Sequence, residues 1–397
     1  MLSREIPLFK VFMAPEAAGI VGETLQSGYI GQGPRVEEFE SNLKRFFDHD
    51  FLATVNAATS AEHLAIHMLQ RDGLGRSASR DTRIAGTETA WPGLSDGDEV
   101  LTTALTCTAT NWPILANRLR IRWVDIDPQT LNLDLEDVER KIGPRTKIIM
   151  VVHWGGYPVD IDRLKSICER ARSIHGFAPQ IIEDCAHALG SKLRNRMVGT
   201  LGNLSTFSFQ AIKHVTSGDG GLLMLPDAAS LARAQLLRWY GIDRNSNRKD
   251  FRCEADIPEW GFKFHMNDIA AAIGNENLKH ANAIIQRHRE NASYFDQSLR
   301  GVAGVQLLQR EVGFESSFWI YSLLVDGKSD FQRAMKERGV ATSQVHERND
   351  IHTCTREYRS FLPNLDRVVP RLSALPVGWW VTNEDREFIV DCIKRGW

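Results

Sequence analysis

Short apolar runs alternate with stretches of helical period along the first two-thirds of the chain. Within residues 15–47, Ala17, Ile20, Val21 and Leu25 recur at helical spacing. The run Gly28-Tyr29-Ile30-Gly31-Gln32-Gly33-Pro34 interrupts that period, which resumes from Val36 to Phe47. Residues 51–55 then read as a strand, 56–60 as a small-residue turn, and the following positions through Leu69 as a helix. The same unit recurs. Strands are expected at 100–103, 121–125, 147–152, 181–184, 207–209 and 222–225, with helices near 111–116 and over 161–173. Apolar runs of four to six residues separated by helices predict a largely parallel sheet covered on both faces. After about Phe251 the rhythm changes: a long helical segment over 266–288, a strand at 318–324, a polar stretch, and a closing helix from 383 to about 395. The expected organisation is a large α/β domain, 1–255, followed by a smaller α+β domain, 256–397. Residues 72–97 have no clear period. An aperiodic stretch this long is a candidate functional loop, and Arg71, Arg76, Arg80 and Arg83 would suit a phosphate or a partner subunit.

Composition narrows the function classes. Of 397 residues, 43% are hydrophobic and 25% charged, the balance of a folded globular chain. Lys plus Arg number 48 and Asp plus Glu 50, a net charge of −2, which gives no footing to a broadly basic nucleic-acid or membrane-surface binder. The six cysteines are scattered without a CxxC pair or zinc spacing, so no metal site is expected. The first residues lack a signal-peptide pattern, and no apolar run approaches the ~18–20 residues that span a bilayer. A cytoplasmic protein is the expectation.

The candidate chemistry lies in Phe207-Ser208-Phe209-Gln210-Ala211-Ile212-Lys213, followed by Gly218-Asp219-Gly220-Gly221. A lone lysine is ordinarily a surface residue. In a partly apolar setting its amine can lose its proton and form a Schiff base with a carbonyl. Pyridoxal-phosphate chemistry needs such a lysine and an acid that keeps the pyridine nitrogen protonated. Asp184, 29 residues upstream at the end of an apolar strand, is the candidate acid. Alone it could equally cap the next helix. His187 could approach the cofactor's phenolic oxygen, although by itself a satisfied structural histidine is the simpler reading. The turn Asn56-Ala57-Ala58-Thr59-Ser60-Ala61 leads from strand to helix, so its N–H groups would face an anion, with Thr59 and Ser60 adding hydroxyl donors. Ser208 is a second candidate phosphate donor.

Together, Glu183-Asp184-x-Ala186-His187-Ala188-Leu189-Gly190, the lysine segment and Gly261-Phe262-Lys263-Phe264-His265-Met266-Asn267-Asp268 resemble the DegT/DnrJ/EryC1/StrS aminotransferases. The resemblance runs over almost the whole chain. It implies a fold-type-I, pyridoxal-phosphate-dependent enzyme acting on nucleotide-linked keto sugars, a homodimer with active sites at the subunit interface. In that pattern Lys213 holds the cofactor and moves protons, Asp184 pairs with the pyridine nitrogen, and His187 stands where many relatives carry glutamine. Thr59, Ser60 and Ser208 would hold the phosphate, and His265 matches a position that reaches the partner's cofactor phosphate. Two departures stand out. Cys107 occupies the place where many relatives carry an aromatic residue over the ring, with Trp112 as a possible compensation, and the 72–97 excursion is longer than usual.

The leading expectation is transamination of a nucleoside-diphosphate keto-deoxy sugar, at C4, with glutamate as donor and 2-oxoglutarate as product. A dehydratase on the same scaffold is the alternative, but relatives of that kind replace the lysine with histidine, and here His214 only neighbours Lys213. A non-catalytic sensor is a third reading, which an intact Lys213 and Asp184 oppose. Arg348, His352 and Arg356 are candidate diphosphate contacts, with a solvated polar loop as the simpler account.

Overall fold

A computed structural model of the chain describes residues 5–70, 91–244 and 256–397. Arg71, Arg76, Arg80, Arg83 and most of the 72–97 excursion lie outside the described residues. Helices α1 (Ala17–Ser27) and α2 (Pro34–Phe47) precede β1 (Leu52–Val55) and α3 (Ala58–Leu69). Then follow β2 (Glu99–Thr103), α4 (Thr108–Ala116), β3 (Arg120–Val124), α5 (Leu135–Lys141), β4 (Thr146–Val152), α6 (Ile161–His175) and β5 (Gln180–Asp184). A short hairpin, β6 (Lys192–Leu193) and β7 (Arg196–Met197), leads to β8 (Leu204–Ser208) and β9 (Gly221–Met224), and α7 (Ala228–Leu237) closes this part.

Seven strands form one sheet in the order β1-β9-β8-β5-β4-β2-β3. β9 runs antiparallel to both its neighbours and the other pairings are parallel, so the mostly parallel sheet expected from the apolar runs is present. The reason is visible along β4. Ile148 and Met150 enter one apolar cluster and Ile149 and Val151 the opposite one, so both faces of the strand are buried. Each such side chain contributes about 1.5–3 kcal/mol of apolar burial.

Two expected elements take a different form. The helical segment at 266–288 is two helices, α8 (Asp268–Leu278) and α9 (Ala281–Ser298). α8 packs on α1 and α2, whereas α9 carries Ala292 and Phe295 into a third apolar cluster. One straight helix could not serve both surfaces, and the chain turns at Lys279 and His280. The Asp268 carboxylate also accepts from the N–H groups of Gly33 (2.7 Å), Arg35 (3.2 Å) and Val36 (3.1 Å), capping α2 from a distant part of the chain.

The remaining elements are β10 (Val305–Leu307), β11 (Phe314–Glu315), β12 (Tyr321–Val325), α10 (Lys328–Glu337), α11 (Pro363–Val368), β13 (Leu372–Leu375) and α12 (Asn383–Lys394). Strands β10, β12 and β13 make a small sheet, and β11 joins the β6–β7 hairpin. The strand expected at 318–324 begins only at Tyr321, because Phe318 has φ 50° and leaves the extended region. Residues 318–320 are thereby freed for the site described next. Among the described residues no helix is long and apolar enough to cross a membrane.

Candidate active site

Three chain segments reach one end of the large sheet. The first is the start of α3. Ala57 is extended (φ −161°, ψ 154°) and the helix begins at Ala58, so the N–H groups of Ala58 and Thr59 precede any intrahelical acceptor, while Ser60 N–H donates to Ala57 O at 3.1 Å. Thr59 is exposed and Ser60 half-buried on that turn. This is an anion cradle by geometry.

The second is the end of β5. Asp184 is buried, and its two carboxylate oxygens are separately held: Oδ2 accepts from Thr110 Oγ1 at 2.6 Å, Oδ1 from the Ala186 N–H at 2.9 Å. Thr106 and Thr110 share a further hydroxyl bond of 2.8 Å. The preceding residue, Glu183, meets His153 at 3.2 Å and Asn203 at 2.6 Å. His153, Glu183 and Cys185 place ligand-type atoms within 4.8 Å of one another. Hydrogen bonds account for this group: His153 Nδ1 accepts from the Val159 N–H, which leaves Nε2 to donate to Glu183.

The third is the turn after β8. Ser208 Oγ accepts from the Gln210 N–H (3.3 Å), and Lys213 follows, with Nζ 3.7 Å from the centre of the Trp319 ring. Burial pushes the Lys213 amine down to about 8, against the opposing pull of Asp184, Cys107 and Glu62. The lysine and the aspartate are thus near enough to act on each other electrostatically.

His187 lies in the same place, with its ring stacked on Trp319 (3.9 Å, 17°) and parallel to His346 at 5.5 Å. Burial first, then Lys213, holds His187 well below the usual histidine range and so neutral. Its Nδ1 has no hydrogen-bond partner within the protein. Cys107 caps α4 and acts electrostatically on both Lys213 and Glu62, consistent with a place beside the ring pocket. Trp112 packs edge-on against His352 (5.9 Å), and Trp319 is the ring that meets the lysine. His265 pairs with Val55, which ends β1 just before the α3 turn, and packs on Trp239 at 3.7 Å. Arg348 is committed elsewhere, with a fork to Asp350 (2.7 and 2.6 Å) and a bond to Asp366.

Four participants escaped the reading of the chain. Thr110 orients Asp184, Glu62 lies buried beside it, and Trp319 and His346 arrive from the second part of the molecule. Thr106-x-x-x-Thr110 at one helical turn was a legible signal. Trp319 and His346 carried none, since only tertiary packing brings them in. Val345 (φ 47°) and His346 (φ 72°) are both left-handed, a conformation unusual for such residues that clusters at functional sites.

The residues fit pyridoxal phosphate. The residues offer an amine lowered by burial, a carboxylate fixed by two donors, the first turn of α3 for the phosphate, and a buried histidine nitrogen lacking a partner within the protein. With the sheet and its connections, this defines a fold-type-I, pyridoxal-phosphate-dependent aminotransferase. Residues 13–394 match the DegT/DnrJ/EryC1/StrS aminotransferase family, and the chain belongs to it. It is similar in structure to AtS13 from Actinomadura melliaura, with 47% identity, TM-score 0.92 and full coverage of both chains. Against the sugar aminotransferase CalS13 from Micromonospora echinospora the identity is 42% and the TM-score 0.90, over 99% of this chain and 100% of that one. A spore coat polysaccharide biosynthesis protein of Bacillus subtilis, SpsC, is 27% identical over 94% of this chain and 92% of its own.

Proposed function

We propose that the protein transfers an amino group from glutamate to C4 of a nucleoside-diphosphate keto-deoxy sugar, as a cytoplasmic homodimer. In the same reading residues 1–255 carry the cofactor, and 256–397 form the smaller domain that supplies Trp319 and His346. The observation that carries this reading is the nearness of the buried Lys213 amine to Asp184, with the start of α3 packed on Gly221, the residue that pairs with Ser208 at the end of β8. The sugar substrate is supported by the likeness to CalS13 over nearly the whole chain.

Pyridoxal phosphate, when bound, supplies the electron sink for moving the amino group. The chain's own residues do the rest. The α3 turn, with Thr59 and Ser60, and Ser208 hold the phosphate, and His265 is assigned to the same group across the subunit interface. Asp184 keeps a proton on the ring nitrogen, and Thr110 fixes the plane of that carboxylate. Lys213 takes the proton from the donor's α-carbon and returns one to the sugar carbon, a task suited to an amine brought to about 8 by burial. His187 offers its free nitrogen toward the phenolic oxygen. Cys107 and Trp319 line the pocket and exclude water from the amine.

The test is a panel of nucleoside-diphosphate 3-keto and 4-keto sugars with glutamate, read by 2-oxoglutarate release. One or more 4-keto sugars should turn over and Lys213→Ala should not. Turnover confined to 3-keto sugars would move the reaction to C3. An active Lys213→Ala enzyme would remove the lysine from the chemistry.

A further inference from the structure

Glu62 has no part in the scheme above, yet it is buried in the same pocket. It lies one helical turn beyond Thr59 on α3, only 1% exposed, and its Oε2 finds no hydrogen-bond partner in the protein. Asp184 stands within hydrogen-bonding reach of it, and Cys107 and Lys213 also act on it electrostatically. Two carboxylates side by side are both acceptors and repel each other, so the arrangement is expensive unless one of them holds a proton. Asp184 already receives two donors, Thr110 and Ala186, and is the better place for the negative charge. Glu62 receives none from the protein at Oε2. The proton therefore belongs to Glu62, and an O–H donor results where a second negative charge would otherwise stand.

We propose that Glu62 is a positioning residue for the cofactor's ring nitrogen: a neutral carboxyl whose O–H donates to Asp184. It completes, with Thr110 and the Ala186 N–H, the set of donors that fixes Asp184 opposite the ring. The inference rests on the assignment of Asp184 to that nitrogen. Burial and the adjoining Asp184 both raise Glu62 well above the usual carboxyl range, while Lys213 opposes them more weakly. Helix α3 would then serve the cofactor twice, its first turn holding the phosphate and Glu62 holding Asp184.

The experiment titrates cofactor-free protein with pyridoxal phosphate, following quenching of protein fluorescence for affinity and the visible absorbance against pH. Wild type, Glu62→Gln, Glu62→Leu and Glu62→Met are compared after their melting curves have been matched. Glutamine keeps a donor of the same length, so it should stay within about threefold of wild type in affinity. Leucine and methionine remove the donor to a charged group and should weaken binding about tenfold, with a shifted pH midpoint of the visible band. Two results overturn the proposal. One is a folded leucine or methionine variant with wild-type affinity and midpoint. The other is a glutamine variant impaired as much as leucine, which would mean that a charge at Glu62, not a donor, is what acts. Uptake by the wild type, read in the same titration, tests the site itself, so the two failures are distinguishable.

Discussion

Lys213 is subject to opposing local effects, among them the nearby acidic groups already named. Burial disfavours its ammonium form, and the face of the Trp319 ring, 3.7 Å away, favours it. Burial prevails and sets the amine near 8. Only the neutral form of the Lys213 amine would be available to bind an aldehyde cofactor. The rate of cofactor capture by the empty protein should therefore rise about tenfold per pH unit below 8 and level off above it. Stopped-flow absorbance measures this directly, and a rate still climbing at pH 10 would show an unperturbed lysine. Trp319→Leu keeps the apolar surroundings while removing the ring that stabilises the ammonium. The midpoint should fall by about half to one pH unit. A midpoint that rises would mean the ring serves mainly to exclude water.

At the scale of elements, the α3 turn depends on its neighbour β9. A Cβ on Gly221 would lie 2.5 Å from both the Ala57 carbonyl carbon and the Ala58 nitrogen, so strand and helix start touch backbone to backbone. Gly221→Ala must push the turn away, and overpacking of this kind costs about 1–3 kcal/mol. A lowered melting temperature and weaker cofactor binding are expected together; loss of stability alone would mean that the turn does not hold the phosphate. The Gly-rich run was legible in the chain as a turn, but this close approach was not, because Ala57 lies far away in sequence. The same limit explains the helix at 266–288. Its period was right, and the break at Lys279 and His280 followed from two packing surfaces that a one-dimensional pattern does not distinguish.

For the whole molecule, the legible part of the site was the part built from strand ends. Asp184, Lys213 and the α3 turn each sit just after a buried apolar strand, and that local signal survives in the sequence. Trp319, more than a hundred residues beyond Lys213, is positioned by the left-handed break at Phe318 and the packing of the second sheet. Subunit association was read from family resemblance, and exposed apolar residues near the end of α1 are where it can be tested. Leu25, Tyr29 and Ile30 are 53%, 68% and 50% exposed at the end of α1 and in the following turn. Clustered apolar side chains of this size on one turn commonly mark an interaction surface. The turn is also held in place, since Gly31 O accepts from the Asp268 N–H at 2.6 Å and the Asp268 carboxylate caps α2. A fixed apolar turn suits a second copy of the chain better than a transient ligand, because little ordering entropy opposes its docking. Sedimentation velocity should then give a particle of about twice the 44.8 kDa chain. The double substitution Tyr29→Asp with Ile30→Asp should shift the population toward single chains and, if His265 reaches a phosphate across the interface, lower cofactor affinity in proportion. A wild-type monomer that binds the cofactor fully would rule out the shared site.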